Sequence, residues 1–419
     1  MGSESIIKYT KAKRNQRLML LAATFAFVAL FLHLIKNSSS PRLLDDPVIV
    51  ETLRKQAPKV QSQASLIEQC TPNELEIVQK QLPPDDCIKN KGQPWLQTCS
   101  FTYATRCPEA TWLDRYYTKL HEEGDKQSFV GIFIGCNKGM DAVNAMRMGS
   151  GDSTFDKSSW RNAMTKDGKI QLSNAVCAQD KTEQFNTEHF NTNVDGRVKF
   201  SQLHCIEAMP GTANALKESA HQLAWDERGF IVTHAAMSQR DGVVPFPKAA
   251  GVGVENQGMG NCLTNPGGCE DVTTYSLDSF ASENVPKDVP INYLSVDVEG
   301  YDMDVLLGGM NHTISRVHYL EFEYNWMGAW KKQHLRDLIE LLDERGFTCY
   351  WPGFDSNIWR ITGCWLEHYD IHFWSNVACV NRHVDEVQSL AVDMERMFQD
   401  TISKGENLVM NRKKDPSVE

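Results

Sequence analysis

The sequence predicts an α/β sandwich: a mostly parallel sheet with helices on both faces. Three observations support this. From Phe129 onward, short and nearly continuous apolar runs such as FVGIFIG (129–135) recur, and stretches of helical periodicity separate them. A run that is apolar at almost every position suits a strand covered on both sides, as in a parallel sheet. Strands alternating with helices build that sheet. The composition, 41% hydrophobic and 23% charged, supplies a packed core and excludes global disorder.

The elements follow in order. FVGIFIG is the first strand, and a helix spans about Lys138 to Met148. VKFSQLHCIEA (198–208) is the second strand, and Pro210 opens a helix to about Trp225, since proline suits the first helical turn. FIVTHAAM (230–237) is the third strand, INYLSVDVEG (291–300) the fourth, and the helix DMDVLLGG follows. HYLEFEYN (318–325) is the fifth. KKQHLRDLIELLDERGF is a helix stopped at Gly346, a residue type favoured just past a helix end. FTCYW and IHFWSNVACV offer a terminal pair of strands. A last helix from about Val384 to Ile402 aligns Val384, Val387, Leu390, Met394, Met397 and Phe398 for docking on the core. The polar stretch from about Gly149 to Arg197 reads as a lid, an acceptor loop or a disordered insertion. The tail after Lys404 reads as disordered.

The N-terminus suggests a location. Residues 1–17 carry Lys8, Lys11, Lys13, Arg14 and Arg17, and the run Leu18 to Ile35 has no charge. At about 1.5 Å per residue, that run is long enough to cross a hydrocarbon core. The basic flank orients it with the N-terminus cytosolic. We read 18–35 as an uncleaved type II signal anchor and 36–65 as a stem. Residues 66–128 are a Cys-rich capping segment, 129–382 the main domain, and 383–419 a C-terminal helix and tail. The expected location is the lumen of the ER or Golgi. An even count of 12 cysteines suits that oxidising setting. Cys70, Cys87, Cys99 and Cys107 cluster in a segment that needs staples, and Cys262 and Cys269 flank the turn-rich LTNPGG, suiting a local disulfide. No CxxC occurs, so a zinc knuckle is not expected, and we assign no metal. Asn311-His312-Thr313 is a glycosylation sequon for a luminal domain. With 43 basic and 54 acidic residues and no basic stripe, nucleic acid is not the expected partner.

Three places carry candidate chemistry. Gly135, Cys136, Asn137 and Gly139 form a turn at the end of the first strand. Glycines there let a ligand approach the main chain, and the next helix adds its positive end. Glu207 sits at the tip of the second strand, where its carboxylate can accept two hydrogen bonds from a ribose diol. Asp297 and Glu299 close the fourth strand, and paired acids at a buried strand end are costly unless used. Glu323 on the fifth strand is a fourth acid in a similar place.

In order, GIFIGCNKGMDA, CIEAMPGTANAL, HAAMSQRDGVVPF, TTYSLDSF and YLSVDVEGYDMDVLLGG resemble the FkbM-type S-adenosylmethionine-dependent methyltransferases, from Phe129 to Arg382. The resemblance implies a Rossmann-like methyltransferase sandwich and methyl transfer, commonly to a hydroxyl on a glycan or small molecule. It implies that Gly135, Cys136, Asn137 and Gly139 line the methionine and ribose side of the cofactor S-adenosyl-L-methionine. Glu207 would hold the ribose, and Asp297 and Glu299 would stand beside the transferred methyl, one of them as base, with His234 a weaker candidate. The chain departs from the family at Phe133, where an acid is common, and at Ser295, where lysine is usual. Cys136 replaces an alanine, and Ala208 a proline. Two alternatives are a Golgi-type glycosyltransferase using the Asp297–Glu299 pair for a metal, and an inactive binding protein on the same fold.

Overall fold

The computed structural model describes residues 69–82, 110–123, 127–165, 198–248, 251–254, 262, 266–353, 356–370, 372, 375–405 and 408. The expected anchor, the stem, Cys87, Cys99, Cys107 and the tail beyond Leu408 lie outside the described residues. Among the described residues no helix is long and apolar enough to cross a membrane.

Strand β1 (Ser128–Ile134) lies inside the sheet, and six of its seven residues are buried. Both faces are therefore covered, as its unbroken apolar run requires. Parallel strands β2 (Phe200–Glu207) and β3 (Phe230–His234) extend one side. The chain then returns to the other side of β1 with β7 (Ile291–Val296) and β8 (Val317–Tyr324), also parallel. Strand β11 (Ser375–Asn381) inserts antiparallel between β8 and β9 (Phe347–Pro352), and β10 (Ile358–Arg360) closes the edge. The order is β10-β9-β11-β8-β7-β1-β2-β3. The reversal between β1 and β7 is a topological switch point, where doubly wound sheets bind ligands outside the carboxyl ends of their strands.

The expected third strand divides. Strand β3 ends at His234, and Ala236–Ser238 is a separate strand, β4, in a small three-stranded sheet. Its partners β5 (Gly242–Pro247) and β6 (Cys269–Ser276) form an antiparallel pair that periodicity had not suggested. The reason is local: Ala235 N donates to Glu207 O, the last tie to the main sheet, and the next residues pair with β6.

The helices bury the faces their sequences mark. Helix α1 (Pro72–Gln81) starts with a capping box between Thr71 and Glu74. Helix α2 (Trp112–Glu123) buries Trp112, Tyr116 and Tyr117. Trp112 Nε1 donates to the Tyr319 hydroxyl (3.1 Å), so this segment packs on the main sheet. Helix α3 (Met140–Ser150) follows β1. Helix α4 (Lys157–Thr165) corrects the reading of 149–197 as lid or disorder for that portion, because Trp160 is fully buried and stacks on Trp225 (5.4 Å between centroids); such pairs contribute about 1 kcal/mol beyond burial. Residues 166–197 lie outside the described residues. Helix α5 (Pro210–Gln222) has proline in its first turn, and α6 (Leu277–Asn284) is capped by Ser276. Helix α7 (Asp302–Leu307) is wholly buried, and α8 (Leu335–Glu344) buries Leu335, Leu338, Ile339, Leu341 and Leu342. The last helix, α9 (Gln388–Ser403), starts later than expected, after a 3-10 turn at Asp385–Val387.

Four disulfides join described cysteines. Cys262–Cys269 is the local bridge expected. Cys70 does not pair within its own cluster but with Cys364, 294 residues away. Gln81 reinforces this long tie, donating to Thr401 O (2.8 Å) and accepting from Trp359 Nε1 (3.0 Å). Cys136–Cys205 and Cys349–Cys379 were not anticipated.

Candidate functional site

The turn after β1 is built on backbone contacts. Gly135 has φ +80°, and a Cβ there would collide with the Asp297 carbonyl. Only glycine lets the two central strand ends approach this closely. Gly135 N and Cys136 N both donate to Ile206 O (3.0 Å each), and Asp297 N donates to Ile134 O (2.9 Å). Asn137 takes the left-handed region at φ +45°. Gly139, at φ +73°, is the N-cap of α3 with no side-chain cap.

Glu207 is 6% exposed. Its Oε2 accepts from Asn137 N (2.8 Å) and its Oε1 from Met209 N (2.7 Å). Each carboxylate oxygen therefore already serves the main chain, and the Ala208 N–H acts on the same group. Burial pushes this carboxyl above its ordinary range, and the nearby Glu299 charge pushes the same way. Backbone N–H groups pull it back. Glu207 and Glu299 thus feel one another across the crevice.

Beyond β7 the chain bends sharply. Asp297 is exposed, while Glu299 is half-buried in the left-handed region at φ +56°. Gly300, at φ +95°, leaves no room for a Cβ against Met327. Asp302, at the first position of α7, is fully buried. Its Oδ1 accepts from Val298 N (3.3 Å), while Oδ2 is buried with no hydrogen-bond partner among the described residues. Burial, and next the Asp297 charge, raise the Asp302 carboxyl well above its ordinary value.

Gly135, Asn137, Gly139, Glu207, Asp297 and Glu299 therefore meet at the carboxyl end of β1, β2 and β7. Cys136 shares the turn, but its sulfur is bonded to Cys205 of β2, so it fastens the turn and its thiol is not available to a ligand. Glu323 is 7% exposed and accepts from Asn325 Nδ2 (2.6 Å). His234 Nε2 lies 3.2 Å from Ala208 O. Asp302 was missed, although its place two residues after Glu299-Gly300 marks a further acid in the same bend. Also missed was the segment 251–254: Gly253 N donates to Thr212 Oγ1 (3.0 Å), and Gly253 lies against Lys138 and Asn137. Among the described residues no group of three or more His, Cys, Asp or Glu side chains is placed to hold a metal ion.

Residues 175–349 match the family model described as Methyltransferase FkbM domain. This match points to a methyltransferase. It runs from ahead of β2 into the first half of β9 and begins after the Gly135–Gly139 turn. No curated protein and no solved structure matches the chain.

Proposed function

We propose that this chain is a membrane-anchored, luminal S-adenosylmethionine-dependent methyltransferase that methylates a hydroxyl of a glycan or another secretory-pathway acceptor. The observation that carries the proposal is the meeting of the Gly135 turn, Glu207 and Asp297 at the switch point of a parallel sheet. The match to the FkbM domain supports the same chemistry. The uncharged run 18–35 behind a basic flank, the four disulfides and the surface position of Asn311 support the luminal location.

The residues fit a nucleoside-bearing donor. Glu207 keeps acceptor capacity beyond its main-chain donors for a ribose hydroxyl, and Asn137 Oδ1 is buried with no hydrogen-bond partner among the described residues. S-Adenosylmethionine, when bound, supplies a methyl group activated by a sulfonium. The protein's own task is then mainly positioning. The acceptor hydroxyl must also lose its proton as the bond forms. Asp297, exposed at the rim, takes that proton. Glu299 adds negative charge beside it.

Titration calorimetry of the purified protein with S-adenosylmethionine and S-adenosylhomocysteine tests the reading. Binding of both is expected, weakened at least tenfold in Glu207→Ala. Asp297→Asn should lower turnover more than donor affinity. An absence of binding to either compound refutes the proposal.

A further inference from the structure

Strands β7 and β8 lie inside the eight-stranded sheet, where covered strands bury their side chains. On one face Tyr293, Ser295 and Glu321 keep partial exposure, while Tyr319 and Phe133 beside them are buried. The register sets Phe133, Ser295 and Glu321 side by side on β1, β7 and β8. Tyr293, Ser295, Glu321 and Asn376 on this face are all half-buried, so an opening reaches the middle of the sheet.

Glu321 sits in that opening with its acceptors arranged. Its Oε2 accepts from the Tyr293 hydroxyl (3.0 Å) and the Tyr319 hydroxyl (2.9 Å), and its Oε1 from Asn376 Nδ2 (2.8 Å). Three donors aimed at one carboxylate favour its charged form. Burial opposes them and raises the carboxyl above its ordinary range. Among the described residues the charged group that acts most on it, Asp141 of α3, is another acid. Buried charges are ordinarily paired. Here the hydrogen bonds are made, and among the described residues no ion pair accompanies them. One lone pair of Oε1 stays open to a further donor.

The place matters as much as the charge. Glu321 is two strands from β1, a spacing of about 10 Å, on the side away from β2 and Glu207. Asp297 follows Ser295 by two residues and lies just past the end of β7, where its N–H still bonds Ile134 O of β1.

We infer that this opening seats the acceptor, and that the acceptor carries an ammonium group that pairs with Glu321 while its hydroxyl faces Asp297. The inference rests on the methyl-transfer reading and narrows it to amino-alcohols and amino sugars.

Calorimetry of the whole protein, with and without S-adenosylhomocysteine, compares glucosamine with glucose and 2-amino-1,3-propanediol with glycerol. Each pair differs by one ammonium. At least tenfold tighter binding of both amines is expected, with the preference lost in Glu321→Gln. Ser295→Lys, which sets an ammonium on the neighbouring rung, should abolish the preference too and covers the case in which Glu321→Gln fails to fold. Equal or undetectable binding of amine and neutral partner overturns the inference, as does a preference that survives both variants. A Glu321→Gln variant that loses S-adenosylhomocysteine but keeps methylthioadenosine assigns Glu321 to the amino-acid end of the donor, which also overturns it. No binding of S-adenosylhomocysteine by the unaltered protein defeats the methyl-transfer reading alone, because the comparison made without it still decides whether Glu321 takes a cation.

Discussion

Removing the bridge between Cys136 and Cys205 in Cys136→Ala/Cys205→Ala tests how the candidate turn is held. The bridge closes a loop of 69 residues. The only other covalent route between these residues runs through Cys70–Cys364 among the described bridges and is longer, so the shorter loop governs. Chain entropy for such a loop gives a loss of about 4 kcal/mol at 25 °C. Unfolding a unit the size of Ser62–Glu419 has an entropy of about 0.7 kcal/mol/K, so the midpoint should fall by about 6 °C. The control is Cys262→Ala/Cys269→Ala, whose separation is 7 residues and whose loss by the same relation is about 2 kcal/mol. Scanning calorimetry without reductant measures both. The main-chain bonds from Gly135, Cys136 and Asn137 to β2 remain in the first variant, so it should still bind S-adenosylhomocysteine below its midpoint. If the short-loop variant loses as much as the long-loop one, loop closure is not what the bridge contributes.

Three further outcomes are expected. Gly135→Ala combines a left-handed backbone with a collision against the Asp297 carbonyl and should cost at least about 3 kcal/mol in urea denaturation, whereas Gly242→Ala, with open space around it, should stay within about 0.5 kcal/mol; equal effects refute the packing argument. Burial lowers the pKa of His204 from 6.5 to about 4, so the fold favours its neutral form. Its contribution is complete above pH 6.5 and is lost as pH falls toward 4, about 3 kcal/mol in all. His318, also lowered to about 4, acts in the same window, so His204→Phe should remove about half of that acid sensitivity, read from denaturation midpoints against pH. Asp302 has the opposite sign. Its raised pKa favours the protonated form, so stability present below the ordinary carboxylate value is lost as pH rises through the raised one. Asp302→Asn should lack that decline and exceed the unaltered protein at pH 8, and parallel profiles would refute a protonated Asp302.

Runs buried on both faces were the easiest to read from the sequence. FVGIFIG and the strand inside INYLSVDVEG appear where expected, because a continuous apolar run leaves few other homes for its side chains. Strand β5 (GVVPFP) escaped because half of it is exposed and two prolines disguise it. The helix of 157–165 escaped because its apolar content rests on Trp160 and Met164 in an otherwise polar stretch. At the site, the acids at strand tips were legible from position alone. The roles of Cys136 and Cys70 were not, since a disulfide partner is set by tertiary distance and leaves no mark in spacing. The open row of Tyr293, Ser295 and Glu321 was hidden for a related reason. Each residue looks ordinary on its own strand, and only the register across strands brings them together.

The wedge of β11 between β8 and β9 has a consequence for biogenesis. Among the described residues, strand β9 has no hydrogen-bonded strand neighbour other than β10 until residues 375–381 arrive between it and the rest of the sheet. A ribosome must therefore deliver the chain through residue 381 before that flank can assemble. A premature stop ahead of Ser375 would strip away one strand by deletion and strand two more without an anchor, leaving a nascent product with an unprotected edge for chaperones to manage.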